Sequence, residues 1–372
     1  MIDIDKFASR HIGPRNEDII EMLKVVGSKS LDDLIEKTVP DHIIFKDKLK
    51  LRPGMSEEFN KTNTQLLSLK NNFKKTYIGM GYYNTTTPSV ILRNILENPG
   101  WYTAYTPYQP EVSQGRLEML MNFQQMIIDL TGMDIANASL LDESTAAAEA
   151  MMMAFKIKKS SKFTFCIQNT CHPQTLSVLK TRATPLGIKI IFDKPNEDTF
   201  GCLIQNPDTY GEIADLDKLI QHNKQKEILS IIAADIMSLV IMKSPRKFGA
   251  DIVVGSSQRF GVPMGLGGPH AAFFATLDEY KRMMPGRLIG VSVDRTNKRS
   301  YRMALQTREQ HIRREKATSN ICTAQALLAI ISASYAIYHG PERLRNIADS
   351  IHHHARYLKK SLEILGFETI SK

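Results

Sequence analysis

The amino-acid sequence predicts an α/β fold with a mostly parallel sheet. Two observations carry this prediction: short apolar runs of strand length alternate with helical segments from about residue 114 onward, and no internal repeat, low-complexity tract or proline-rich linker interrupts them. Strands that alternate with helices in this way form a parallel sheet covered by helices on both faces. The 372 residues suffice for two domains, or for one large α/β unit with appendages.

The first 75 residues are predicted to form an N-terminal helical appendage. Asn16 can cap a first helix, because apolar residues follow it at helical spacing, and Gly27 can end that helix. Ser30 opens a second short helix with the spacing of a capping box. A third helical stretch is expected near residues 63–73.

The other elements follow from hydrophobic periodicity and strand-like composition. Helices are predicted at 114–131, 143–158, 173–184, 215–226, 319–339 and 341–364, and strands at 163–166, 187–192, 201–205, 229–234, 250–255 and 271–275. The predicted domains are the appendage (1–75), a large α/β domain (76–335) and the start of a small C-terminal domain (336–372). This last domain is expected to be truncated, because the segment after Gly366 reads as a strand without a partner.

Composition excludes several classes of protein. No run approaches 18 uncharged apolar residues, so no membrane-spanning helix is expected, and four cysteines in 372 residues do not make a disulfide scaffold. The N-terminus has neither the basic nor the apolar region of a secretory signal. We therefore expect a reducing compartment: the cytoplasm if the protein is bacterial, the mitochondrial matrix if it is eukaryotic.

The positive charge is concentrated in one stretch. The formal net charge is +9, and residues 281–316 hold eleven Lys and Arg against three acidic residues. This stretch is a solvated basic face, a surface for an acidic partner, or a site for an anionic small ligand. Nucleic-acid binding is disfavoured because only Tyr301 offers an aromatic ring for stacking. Arg308, Arg313 and Arg314 are candidates for carboxylate or partner contacts.

Three segments before residue 150 combine rigidity with polar groups. Gly79 and Gly81 lie among aromatic residues, in a ligand wall or a packed loop. Tyr105 and Tyr108 belong to a loop braced by prolines, which serves recognition or is simply a turn. Ser144 begins an Ala-rich helix whose N-terminus could hold a phosphate, but the two acids before it favour ordinary capping.

The glycine-rich segment 255–270 is the strongest site candidate by position, because it follows the clearest strand and sites in α/β sheets lie beyond strand ends. Gly265, Gly267 and Gly268 are therefore predicted to let the backbone pass close to a bound group. A second polar segment, 305–323, is either a solvated loop or a recognition segment.

Six motifs along the chain resemble one protein family. They are Arg10-His11-Ile12-Gly13-Pro14, Gly79-Met80-Gly81-Tyr82-Tyr83, Tyr105–Arg116, Ala138–Asp142, Gly255–Gly261 and Leu305–Arg314. Together they resemble the P-proteins of the glycine cleavage system, over essentially residues 7–365. The His-Ile-Gly-Pro start is similar to the long-chain form, of which this chain resembles the N-terminal half.

This resemblance implies a pyridoxal-phosphate transferase fold of the aspartate-aminotransferase type (fold type I). The implied reaction is decarboxylation of glycine, with transfer of the aminomethyl group to the lipoyl arm of the H-protein and release of CO₂. The implied partners are the C-terminal half or a second P-protein subunit, in a homodimer or heterotetramer, and the lipoylated H-protein. Neither nucleic acid nor a membrane is expected as a partner.

The resemblance also places Gln258 where the C-terminal half has the lysine that binds the cofactor. An amide nitrogen is not nucleophilic and forms no covalent bond with an aldehyde. We therefore expect no catalytic residue in this half, which would meet pyridoxal 5′-phosphate through the complementary C-terminal half. Tyr105, Tyr108 and Arg308 are then predicted to line the pocket, and Ser144, Gly265, Gly267 and Gly268 to lie near the cofactor. The alternative is a scaffold or regulatory half without activity alone.

Overall fold

The computed structural model describes residues 11–45, 47, 49–72, 74–159, 161–265, 267–305, 310–317, 319 and 325–370. Tertiary contacts divide the chain into two compact units, residues 1–75 and 76–372. The further domain boundary at residue 335 stays a prediction. No described helix is long and apolar enough to cross a bilayer.

The described part of the first unit includes three amphipathic helices: α1 (Asn16–Val26), α2 (Leu31–Thr38) and α3 (Glu57–Ser68). Helix α1 ends at Gly27 in the left-handed conformation (φ 70°), as the sequence predicted. Ser30 caps α2 by accepting a hydrogen bond from the Asp33 amide at 3.0 Å. Helix α3 begins before the predicted 63–73 stretch, because Ser56 caps it.

The second unit is built on a seven-stranded sheet in the order β1-β7-β6-β5-β4-β2-β3. Its strands are β1 (Ile135–Ala136), β2 (Thr164–Ile167), β3 (Lys189–Phe192), β4 (Thr199–Asn206), β5 (Leu229–Ala234), β6 (Ile252–Ser256) and β7 (Ala272–Thr276). Strands β2 to β6 are parallel to one another, whereas β7 is antiparallel to β6 and to β1. The predicted α/β fold with a mostly parallel sheet is confirmed.

Helices cover both faces of this sheet. They are α4 (Gln114–Thr131), α5 (Glu143–Ile157), α6 (Pro173–Ala183), α7 (Leu216–Gln225) and α8 (Ala326–Ile364). Shorter helical turns are Asp41–Ile43 in the first unit and, in the second, Ser89–Ile91, Leu92–Leu96, Pro110–Val112, Thr184–Leu186, Ile236–Leu239, Pro245–Phe248, Asp278–Tyr280, Gln310–Arg313 and Arg314–Lys316. Neighbouring strand residues fall into two separate cores: Ile232 packs with α4 and α8, and Ile231 packs with α5 and α6. This alternation buries both faces of β5.

Three features differ from the sequence predictions. Strands β8 (Leu288–Val293) and β9 (Arg299–Ala304) form an antiparallel hairpin that was not predicted. The first of the two helices predicted after residue 319 begins only at Ala326, whereas the predicted break between them is confirmed at Gly340 (φ 68°), before Pro341. No strand follows Gly366 among residues 367–370, so the expected strand there was wrong.

Candidate functional site

The main candidate site is a cavity of about 610 Å³ in the second unit, beyond the carboxyl ends of β4, β5 and β6. The polar side chains that line it include those of Glu143, His172, Gln205, Asp235, Gln258 and Arg259. Gly79 and Gly81, with positive φ angles of 70° and 87°, bring their loop onto the same cavity. The cavity lies where sites in open α/β sheets are found.

Asp235 directly follows β5 and has both carboxylate oxygens occupied. Its Oδ1 accepts hydrogen bonds from the amides of Met237 (2.7 Å) and Ser238 (3.3 Å). Its Oδ2 accepts a hydrogen bond from Nη1 of Arg259, whose guanidinium lies 4.5 Å from the centre of the Tyr83 ring. The carboxylate is therefore paired within the chain, and Arg259 is fixed between it and an aromatic face.

Gln258 is fully buried and joins two segments that the sequence analysis singled out. Its Nε2 donates to the carbonyl oxygens of Tyr83 and Val262, both at 2.8 Å. Its Oε1 has no hydrogen-bond partner among the described residues. The side chain thus uses both of its N–H groups for hydrogen bonds within the chain, while its acceptor is buried.

Glu143, the first residue of α5, carries a carboxyl group whose ionisation is perturbed. Burial raises its pKa to about 7, against a lowering by the Gln205 amide, and the charges of Asp235 and Asp142 raise it further. Its Oε1 is buried without a hydrogen-bond partner among the described residues. Burial also lowers the pKa of His172, whose Nδ1 lies 3.0 Å from Oγ1 of Thr209.

The raised pKa of Glu143 predicts a pH-dependent stability. Between its ordinary pKa of 4.5 and about 7, only the folded state keeps this proton, so the free energy of unfolding falls as pH rises through that window. The loss reaches at most about 3 kcal/mol. Urea unfolding across this range should show the decline in the parent chain and in Glu279→Gln, an exposed control. Glu143→Gln should flatten it; an unchanged slope in that variant would contradict the assignment.

Tyr105 and Tyr108, which were predicted to line a pocket, are each 40 % exposed and lie outside the lining of this cavity. The Tyr105 hydroxyl lies 3.0 Å from Oε1 of Gln109, and Arg116 stacks on its ring at 5.3 Å. The guanidinium of Arg287 stacks on Tyr108 at 4.7 Å. The structure therefore holds both rings in place, and their role in a pocket wall stays a prediction.

The residues predicted to lie near the cofactor, Ser144, Gly265, Gly267 and Gly268, are also outside the cavity lining. Ser144 is buried, with its Oγ 3.1 Å from Oγ1 of Thr175. Gly265 and Gly268 adopt positive φ angles of 53° and 62° in a loop that also contains Gly267. Their roles stay predictions.

The predicted partner-surface arginines lie beyond β9. Arg313 and Arg314 are exposed, in keeping with a role in partner contacts that stays a prediction. Arg308 lies outside the described residues.

Sequence reasoning did not assign the ion pair of Asp235 and Arg259, nor His172. A signal for Asp235 was present, because it is an acid immediately after a buried apolar strand. The pairing could not be predicted, because Asp235 and Arg259 lie 24 residues apart in sequence, after two different strands, and only the fold brings them together. Gln258, in contrast, was placed at the site through the family resemblance, and it does line the cavity.

Comparison with known proteins identifies the family. A sequence model described as "Glycine cleavage system P-protein" matches residues 9–371. The chain belongs to this family. It is 57 % identical to "Glycine dehydrogenase (decarboxylating)" of Pelagibacter ubique, over 98 % of this chain and 39 % of the relative. The enzyme of the same name from Nostoc sp. is 55 % identical over 100 % of this chain and 38 % of its own length. The chain thus spans under two-fifths of the P-protein relatives that it matches.

Comparison with solved structures identifies the fold type. A crystal structure of "glycine decarboxylase (P-protein) of the glycine cleavage system, in inhibitor-bound form" superposes with a TM-score of 0.83 and 35 % identity, over 90 % of this chain and 78 % of the other. A sphingosine-1-phosphate lyase from Burkholderia pseudomallei superposes with a TM-score of 0.60 at 10 % identity, over 88 % of this chain and 78 % of the other, which shows likeness of fold alone. The predicted fold type I of pyridoxal-phosphate enzymes is confirmed for this P-protein chain.

The residues of this cavity do not fit the pyridoxal phosphate that the fold implies. Gln258 offers no nucleophilic amine, and Arg259 occupies the carboxylate of Asp235. At the start of α5, the Asp142 side chain already accepts from the Thr145 amide at 2.8 Å, and Glu143 adds a second acid. An anionic phosphate at this helix end would therefore meet two acidic side chains, which is an unfavourable charge.

Proposed function

We propose that this chain is a part of a glycine dehydrogenase (decarboxylating) that does not hold the cofactor itself. The whole enzyme would decarboxylate glycine and pass the aminomethyl group to the lipoyl arm of an H-protein. Pyridoxal phosphate supplies the electron sink for such a decarboxylation when it is bound. In this proposal it is bound by the complementary C-terminal part, against which the present chain builds a wall of the pocket.

The observation that supports the proposal is that Gln258, in a chain of this family, is buried and hydrogen-bonded within the chain. The amide lies at the end of β6, is fully buried and donates to two carbonyl oxygens. It is therefore a structural tie between the loops at residues 79–83 and 258–264. A chain that has this fold, but a structural amide where the cofactor-binding lysine would be, contributes to catalysis as part of the assembled enzyme. It does not contribute by binding the cofactor covalently.

The proposal is tested by reconstitution. This chain and a separately expressed C-terminal part of a P-protein would be assayed alone and mixed, with pyridoxal phosphate, for exchange of the glycine carboxyl group with labelled bicarbonate. We expect exchange in the mixture and none with this chain alone. Equal exchange by the C-terminal part alone would favour the alternative, a scaffold or regulatory role.

The basic hairpin β8–β9 predicts electrostatic steering of an acidic partner. Arg295, Lys298, Arg299 and Arg302 are exposed on it. Long-range attraction of this kind raises association rates and weakens as salt screens it. In the reconstituted enzyme, reversing the first three charges to glutamate should raise the KM for H-protein several-fold at low salt, with little change in kcat.

The control for this prediction has the same change of net charge elsewhere. Lys180, Lys218 and Lys224 are exposed on α6 and α7, and their reversal to glutamate should leave the KM for H-protein near that of the parent. The two triple variants should converge at high salt. If the KM for H-protein rises equally in both triple variants, or if the KM of the parent is independent of salt, the hairpin does not steer the partner.

A further inference from the structure

We infer that an apolar stripe along the second half of α8 is the surface on which this chain binds the remainder of a P-protein. The remainder is the part of the longer relatives that follows the region matched by this chain. The inference assigns a contact surface to the C-terminal part named in the proposed function, and in this respect it rests on that function.

The stripe consists of apolar residues that recur at alternating intervals of four and three positions. Its members are Leu344, Ala348, Ile351, Ala355, Leu358, Leu362 and Leu365. The first six belong to α8 and the last is its C-cap. This spacing places all seven side chains on one side of a helix, and it is typical of a helix that buries a seam against a partner.

The structure buries only the beginning of the stripe. Leu344 and Ala348 are 7 % and 3 % exposed and belong to the core that α8 shares with α4. Farther along, the exposed fraction rises to 41 % at Ile351, 49 % at Leu358 and 73 % at Leu365. The helix face that packs in the core thus continues into solvent. An exposed apolar surface of this kind marks a site of protein–protein contact.

The stripe also borders the cavity described above. Ala348, Ile351 and Ala355 line that cavity beyond β4, β5 and β6. A partner bound on the stripe would therefore close this side of the cavity. This agrees with the proposed function, in which the chain builds one wall of a pocket that the C-terminal part completes.

Length and sequence continuity favour the remainder of the protein as the partner. The relatives are more than twice as long as the region they share with this chain, which covers 39 % of one and 38 % of another. The family match reaches residue 371, just beyond the stripe. In a longer relative, of which this chain resembles the N-terminal half, the remainder follows directly. A segment joined so closely meets the stripe at a high effective concentration.

Charge disfavours a second copy of this chain as the partner. The formal net charge of each copy is +9. Between Ile351 and Leu362 the helix carries Arg356, Lys359 and Lys360 but no acidic residue. Two copies joined along the stripe would bring these like charges together, which opposes association.

Binding of this chain to a separately expressed C-terminal part tests the inference, by isothermal titration calorimetry and by hydrogen exchange of the complex. We expect the parent chain to bind, and the amides of residues 351–365 to gain protection from exchange in the complex. A variant with both Leu358→Glu and Leu365→Glu should bind at least about tenfold more weakly, because the contact would bury unpaired carboxylates.

A matched control is available on another side of the same helix. Tyr357 and Ile364 are exposed apolar residues outside the stripe. A variant with Tyr357→Glu and Ile364→Glu changes the net charge as much as the stripe variant does, and it should bind like the parent. Should the stripe variant fail to fold, the protection pattern of the parent complex still decides.

Three results would overturn the inference: no binding by the parent, equal weakening in both double variants, or no added protection at residues 351–365. Self-association of the chain, or binding to anionic lipid vesicles, that the stripe variant abolishes would assign the stripe to a second copy or to a lipid surface and would also overturn it.

The exchange assay separates this inference from the proposed function. Stripe-dependent binding without glycine–bicarbonate exchange would contradict the proposed function alone. Exchange in the parent mixture, with unaltered binding by the stripe variant, would contradict the inference alone.

Discussion

Gly255→Ala is expected to lower the free energy of unfolding by about 3 kcal/mol or more, the largest single-residue effect that the structure predicts. Gly255 lies in β6 between β5 and β7, and a Cβ atom there would lie 2.2 Å from the carbonyl oxygen of Ala234 and 2.5 Å from Cζ of Phe273. The first of these contacts is with backbone, so a change of rotamer cannot relieve it. The strands themselves would have to separate.

Urea unfolding measures this effect, with Gly115→Ala as the matched control. Gly115 lies in the first turn of α4, where the nearest atom to a new Cβ is 4.0 Å away. Alanine there should be neutral or slightly stabilising, since it favours the helix. A Gly255→Ala variant as stable as the control would mean that β6 does not pack between its neighbours as described.

Arg259→Ala is expected to cost about 3 kcal/mol, because it leaves a largely buried carboxylate unpaired. Both side chains of the Asp235–Arg259 pair are only 18 % exposed, and the arginine also covers the face of Tyr83. Loss of the guanidinium would place the unpaired charge of Asp235 near Glu143, whose pKa it already raises. The change therefore destabilises the site as well as the pair.

The exposed pair of Lys37 and Asp33 provides the comparison. Its side chains are 54 % and 27 % exposed, so Lys37→Ala should cost much less than Arg259→Ala. Arg259→Lys should recover only part of the loss, because an ammonium group lacks the planar fork that both binds and stacks. Equal costs for Arg259→Ala and Lys37→Ala in urea unfolding would show that the Asp235 pair is solvated like a surface pair.

Hydrophobic periodicity predicted the positions of the core helices and strands closely, but it did not predict the direction of the strands. Helix α4 matches its predicted bounds of 114–131, because its apolar stripe is clear and Gly132 ends it. Strand β7 was expected from its apolar run, yet its antiparallel direction is set by the connection from β6, which composition does not encode. The β8–β9 hairpin was missed because its second strand reads as a charged segment, with arginines at 299 and 302.

The sequence predicted those residues of the candidate site that follow from their position along the chain. It did not predict which side chains of the site pair with one another. Gln258 follows a clearly predicted strand and belongs to one of the motifs that resemble the family, so sequence alone placed it beyond the end of that strand. The unpaired acceptors of Glu143 and Gln258 arise from the way that three segments meet, which no local pattern contains. The structure accordingly adds the ion pair and the polarity of the cavity.

The central claim, that this chain does not anchor the cofactor covalently, is tested most directly by borohydride trapping. The isolated chain would be incubated with pyridoxal phosphate, reduced, digested and analysed by mass spectrometry, beside a reconstituted mixture with the C-terminal part. We expect a pyridoxyl group on a single lysine of the C-terminal part and no stoichiometric adduct on this chain. A stoichiometric adduct on one lysine of this chain would contradict it.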